Sequence, residues 1–169
     1  IGSKIKKDTL VIIETTIPPG TTEKIIYPII KRSFTKRFSK EIEPRIAHSY
    51  ERVMPGPEYL ASIINFWRVY AGIDSISAKT CKNFLSTIIN VDKYPMRELS
   101  SCTASELSKI LENSYRAANI AFIHEWGVFS EEIGVNLFEI LEAIRLRPTH
   151  KNIKSPGLGV GGYCLTKDP

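Results

Sequence analysis

Long apolar runs are missing from this chain. No stretch approaches the roughly 20 consecutive apolar residues that cross a bilayer, and Ile1-Gly2-Ser3-Lys4-Ile5-Lys6-Lys7 has no apolar core of a secretory signal. The expectation is therefore a cytoplasmic protein with no membrane partner. Cysteine is scarce: Cys81, Cys102 and Cys164 are an odd number with no C-x-x-C spacing, which argues against a disulfide framework and a structural zinc site. His48, His124 and His150 are isolated in sequence, so no metal is expected and each reads as a surface or satisfied histidine. Repeats and low-complexity segments are absent too. What remains is a chain of 169 residues, 43% hydrophobic and 24% charged, with 23 basic against 18 acidic residues and a net charge of +5. That is a globular balance, and it excludes disordered, collagen-like and coiled-coil classes. The length suits one domain, or one domain with part of another.

The densest basic patch is Lys31, Arg32, Lys36, Arg37 and Lys40, interleaved with Phe34 and Phe38. It reads as a solvated helix end and loop rather than a nucleic-acid interface, and no nucleic-acid partner is expected. A nucleic-acid binder using Lys31 to Lys40 would show DNA affinity falling steeply with salt.

Thr9 to Ile13 is a short β-branched run that predicts a strand buried on both faces of a parallel sheet. After the Glu14 to Gly20 loop, Thr21 is placed to cap a helix through Ile30, with Glu23 in its first turn and a kink at Pro28. A second strand over Pro44 to His48 completes a βαβ unit. Arg68 to Gly72 predicts a further strand, Ser75 to Ile88 a helix, and Tyr94 to Leu99 an extended piece. Thr103-Ala104-Ser105-Glu106 has the form of a capping box. From it, Leu107, Ile110, Leu111, Ala118, Phe122 and Phe129 recur at helical spacing, which predicts one long helix to about Ile133, stopped by Gly134. Asn136 caps a following helix that Pro148 ends, and a glycine-rich tail completes the chain.

Within that tail Gly157, Gly159 and Gly162 satisfy G-x-G-x-x-G, but no strand is predicted before them and no helix after, so this is not a dinucleotide fingerprint. Cys164 lies four residues before Asp168, a candidate nucleophile beside a candidate base. Taken alone, it reads as a small buried hydrophobe. Cys81 falls inside a predicted helix, and Cys102 just before a cap, as the apolar half of a staple. Lys109 and Asn113 share one face of the long helix.

Four separated motifs occur in order: Thr15-Thr16-Ile17-Pro18-Pro19-Gly20-Thr21-Thr22, Ser49-Tyr50-Glu51-Arg52-Val53, Ser105-Glu106-Leu107-Ser108-Lys109 with Asn113, and Gly159 to Pro169. Together they resemble the UDP-glucose/GDP-mannose dehydrogenase family, whose NAD-dependent members oxidise a nucleotide-sugar alcohol to a carboxylate in polysaccharide biosynthesis. The resemblance implies an α/β fold: the C-terminal part of a Rossmann-like NAD domain (βαβ) over 1–99, then a mainly helical central and dimerisation domain over 100–169. It implies Cys164 as the nucleophile that carries a thiohemiacetal and then a thioester. Lys109 and Asn113 would stabilise the oxyanion, Asp168 would assist proton transfer, Glu51 would act in thioester hydrolysis, and Thr16 would position water. Thr16 and Glu51 would also border NAD. Glu51, Arg52, Val53, Lys109, Asn113 and Gly161 would contact a nucleotide-sugar substrate, most simply a UDP-sugar, and the central region would form a homodimer.

Departures accompany the resemblance. Tyr50 stands where many relatives have proline, and Tyr163 follows Gly162, which hints at a less common sugar. No arginine is assigned to the role a neighbouring subunit fills in the family. A first Rossmann strand and its glycine fingerprint do not precede Ile1, so little turnover is expected of these 169 residues alone. The alternative is a non-catalytic helical dimerisation module derived from such an enzyme.

Overall fold

A computed structural model describes residues 1–38 and 42–168. Lys40 of the basic patch, and Pro169, lie outside the described residues. The chain divides into two compact units, Ile1–Lys109 and Ile110–Pro169.

In the first unit β1 (Leu10–Ile13), β2 (Arg45–His48), β3 (Val69–Gly72) and β4 (Arg97–Glu98) form a sheet in that order. β1 and β2 are parallel, with Leu10 opposite Arg45 and Ile13 opposite His48. β3 is antiparallel to β2 and parallel to β4. β1 was expected to be buried on both faces. All four of its residues are instead half-buried, because it occupies the sheet's edge, whereas Ile46 and Ala47 of β2 are fully buried. The core combines Ala47 and Tyr70 with Ala78, Cys81 and Leu85 of α3 (Ser75–Leu85). Asp74 caps α3 by accepting from the Ser77 amide at 2.6 Å. Between β2 and β3 lies the short α2 (Tyr59–Ile64).

The βα crossover departs from expectation at Pro28. A five-residue π-helical turn, Thr22–Ile26, gives way to α1 (Tyr27–Phe34), with Pro28 in its first turn. Proline has no amide to donate and its ring collides with the carbonyl four residues back, so a widened turn before it replaces a kink inside one helix. Thr21 does not cap this segment through its side chain; its hydroxyl donates to Pro18 O at 2.6 Å. The cap comes from Glu106, whose carboxylate accepts from the Gly20 amide and, at 2.7 Å, from the Thr22 amide.

α4 spans Cys102–Glu132. The capping box over Thr103–Glu106 is corrected: the helix starts earlier, with Ser101 Oγ accepting from the Ala104 amide at 3.0 Å. Glu23 supplies the rest, accepting from the Cys102 amide at 2.9 Å and from Thr103 Oγ1 at 2.7 Å. Glu106 and Glu23 therefore cap each other's helices, which fastens the start of α4 to the loop before the π-turn. Cys102 is the first helical residue; it is fully buried, and its thiol donates to Ala71 O.

In the second unit α4 gives way to Gly134, just past its end, whose φ is +72°, and α5 (Leu137–Arg145) begins with Asn136 Oδ1 accepting from the Phe138 amide at 3.0 Å. A 3-10 turn follows over Pro148–His150. Ile123, Leu137 and Leu141 are buried together, with Ile153 against them. The apolar positions of α4 are not all inward: Leu111, Tyr115, Phe122, Trp126 and Phe129 are exposed. Phe122 and Ile140 border an apolar cavity of about 290 Å³ between α4 and α5. Among the described residues no helix is long and apolar enough to cross a membrane.

Candidate active site

Parallel strands β1 and β2 end together, and the loops that leave them stay paired: the Ser49 amide donates to Ile13 O at 3.0 Å and the Glu51 amide to Glu14 O at 3.3 Å. In open α/β sheets a dinucleotide lies outside such carboxyl ends. Thr16 is half-buried in the first of these loops, and Glu51, Arg52 and Val53 are half-buried in the second. These residues fit the border of a dinucleotide site. The loop is held from behind by Arg68, whose nearly buried guanidinium reaches Glu14 Oε1 at 2.8 Å.

Tyr50 organises the candidates of the first unit. Its side chain is buried, Arg52 lies 5.1 Å and Lys109 Nζ 5.2 Å from its ring centroid, and Arg52 Nη2 donates to its hydroxyl at 3.2 Å. Glu51 folds back to accept from the Val53 amide. Arg52 and Lys109, far apart in sequence, are thus gathered around one aromatic ring. Sequence reasoning treated Tyr50 only as a departure from relatives; its role as a platform depends on Lys109 arriving from another element.

His48 was expected to be exposed or satisfied. It is fully buried; Nδ1 meets Ser105 Oγ at 2.9 Å, and Nε2 has no hydrogen-bond partner among the described residues. Burial pushes its pKa below the ordinary value, and Glu106 opposes that shift.

In the second unit Asn113 and Asp168 are joined directly: Asn113 Nδ2 donates to Asp168 Oδ2 at 2.7 Å. Asn113 is buried, and the Asp168 side chain is only 3% exposed. Lys167 Nζ lies 2.9 Å from Asp168 Oδ1, and that contact raises the lysine's pKa. Cys164 is exposed, which corrects its reading as a buried hydrophobe. Its carbonyl accepts from the Asp168 amide at 2.9 Å, so thiol and carboxylate belong to one tight turn. Gly161 is exposed, with open space where a Cβ would stand. The tail from Gly157 to Gly162 has neither a preceding strand nor a following helix, which removes the fingerprint reading.

The other two cysteines differ from Cys164. Burial pushes the Cys81 and Cys102 thiols up to about 12, leaving them protonated and inert. Among the described residues no group of three or more His, Cys, Asp or Glu side chains could hold a metal ion.

Comparison with known proteins places the chain in a family. Residues 1–90 match the NAD binding domain of the UDP-glucose/GDP-mannose dehydrogenase family, and residues 103–169 match its central domain. UDP-N-acetyl-D-mannosamine dehydrogenase of Methanocaldococcus jannaschii is 38% identical over 165 residues, 98% of this chain and 35% of that protein. The structure of UDP-D-ManNAc dehydrogenase from Pyrococcus horikoshii superposes with a TM-score of 0.82 at 33% identity, covering 99% of this chain and 38% of that one. NDP-N-acetyl-D-galactosaminuronic acid dehydrogenase from Methanosarcina mazei Go1 gives 0.82 at 32%, covering 99% and 34%. The chain thus spans little more than a third of the relatives it matches. It belongs to the UDP-glucose/GDP-mannose dehydrogenase family, and its first ninety residues are those of the family's NAD binding domain.

Proposed function

We propose that this chain carries the substrate-facing part of an NAD-dependent nucleotide-sugar dehydrogenase that oxidises the C6 alcohol of a UDP-sugar to a uronate. Thr16 and Glu51 would border NAD, which when bound would supply the hydride acceptor for both oxidations. Residues 1–99 serve as the NAD-domain part and 100–169 as the central domain. Cys164 Sγ adds to the carbon of the sugar aldehyde, and the resulting thiohemiacetal becomes a thioester as its hydride leaves. The Lys109 ammonium and the Asn113 amide, one turn apart on α4, donate to the oxygen that gains negative charge. Asn113 spends one N–H on Asp168, which orients the amide and leaves its second N–H for that oxygen. Asp168 accepts a proton from the attacking water, and Glu51 assists release of the acid. Arg52, Val53 and Gly161 contribute substrate contacts.

The observation that carries this reading is the exposed Cys164 on the same turn as the sequestered Asp168, which is hydrogen-bonded to Asn113. The names of the relatives favour an N-acetylated UDP-hexosamine as the sugar. A chimera tests it: this chain replaces the matching 165 residues of the M. jannaschii enzyme. The expected result is reduction of two NAD per UDP-N-acetylmannosamine consumed, abolished by Cys164→Ala. Turnover that survives the substitution refutes the reading. The 169-residue chain alone is expected to show little or no turnover.

A homodimer through the central region belongs to the same proposal. Its support is the row of exposed Leu111, Tyr115, Phe122, Trp126 and Phe129 along α4, too much contiguous apolar surface for a solvated helix face.

A further inference from the structure

We propose that His124 is a positioning residue that anchors the Cys164 loop to α4. This rests on the reading of Cys164 as the nucleophile. The loop is fastened at its far end by Asn113 to Asp168. At its near end His124 Nδ1 lies 2.9 Å from Gly157 O. A carbonyl only accepts, so Nδ1 carries the proton, and both the neutral Nδ1–H tautomer and the imidazolium serve.

Three further contacts build the same anchor. Gly159, at φ +85°, lies against the His124 ring, its Cβ position 3.7 Å from Cδ2. Gly127, one turn along from His124, lets Pro156 approach: an added Cβ would stand 3.2 Å from Pro156 Cβ. Arg145 of α5 holds the preceding residues, donating to Ile153 O at 3.0 Å and to Ser155 Oγ at 2.8 Å.

Geometry gives the anchor its consequence. Asn113 and His124 are eleven residues apart on a helix, about 16 Å at 1.5 Å per residue. The eleven steps of chain from Gly157 to Asp168 could extend over roughly 36 Å. Fastened at both ends, they must fold back between the two points. They do so through the positive φ of Gly159 and Gly162 and the turn closed on the Cys164 carbonyl. Releasing His124 leaves the loop tied at Asp168 and, before Gly157, at Ser155 and Pro156, so Gly157 to Gly162 loses its direct bond to α4 and the turn that carries Cys164 is less constrained.

The test uses hydrogen exchange of the 169-residue chain and needs no turnover, so its outcome is separate from that of the catalytic reading. His124→Phe keeps ring volume without the donor; His124→Asn places an amide N–H where Nδ1 stood. The Lys167 and Asp168 amides, which donate to Cys164 O, are expected to exchange about fivefold faster in His124→Phe, as for one lost hydrogen bond. They are expected to be unchanged in His124→Asn, with α5 and residues 103–123 unaffected in both. Nitrogen spectra of the wild-type chain are expected to show neutral His124 as the Nδ1–H tautomer. Unchanged exchange in His124→Phe, failure of Asn to rescue, loss of protection spreading through α4 and α5, or an Nε2–H tautomer would each overturn the proposal.

Discussion

Glu106 offers the sharpest test of how the first unit is held together. Its side chain is 1% exposed, and its two oxygens accept the Gly20 and Thr22 amides, which no intrahelical carbonyl can serve. Hydrogen bonds to a charged group contribute about 1.5–3 kcal/mol each, and a carboxylate at a helix N-terminus adds about 0.3–1 kcal/mol. Glu106→Gln keeps the shape and one acceptor but turns an NH2 toward an amide donor, so about 2–4 kcal/mol should be lost. Glu106→Ala orphans both amides and opens a void, for about 3–5 kcal/mol. Urea unfolding read by exchange protection of Arg45–His48 reports this unit, and the Gly20 and Thr22 amides should lose protection first. A destabilisation below about 0.5 kcal/mol in both variants would refute the reciprocal-cap argument.

The remaining outcomes concern pH, thiols and assembly. Because burial lowers the His48 pKa in the folded chain, the unfolded chain binds the proton more readily as pH falls below about 6.5. Stability is full above that pH and should fall by up to about 1.4 kcal/mol per unit until the lowered folded pKa is reached; His48→Asn should flatten the profile in urea titrations at pH 5 to 7. Iodoacetamide at pH 7.5 should label Cys164 and spare Cys81 and Cys102 until urea is added, as peptide mapping would show. If α4 forms the dimer, Trp126→Arg should yield a monomer by sedimentation with unchanged far-UV circular dichroism, and a monomeric wild type would remove that proposal.

Legibility in the sequence followed the range of the forces involved. Gly134 as a stop, Asn136 as a cap and the β1–β2 crossover rest on neighbouring residues, and all were readable. The Glu106 and Glu23 caps were not, because each carboxylate serves amides about eighty residues away, and no local rule prefers them to Thr103 or Thr21. Strand order also escaped: the apolar run at β1 looks the same in an edge strand as in a central one. The apolar stripe on α4 was visible, but its exposure was not, since periodicity reports a face without saying what covers it. Among the candidate site residues, family motifs supplied the names. Only coordinates supplied Tyr50 between Arg52 and Lys109, and the Asn113–Asp168 bond.

The proposed chemistry requires a covalent bond between Cys164 and the sugar. Acid-quenched single turnovers of the chimera with NAD and UDP-N-acetylmannosamine, mapped by peptide mass, test it directly. A nucleotide-sugar thioester on the Cys164 peptide is predicted, accumulating in Asp168→Asn and absent in Cys164→Ala. Turnover with no adduct, or with the adduct on another residue, would contradict it.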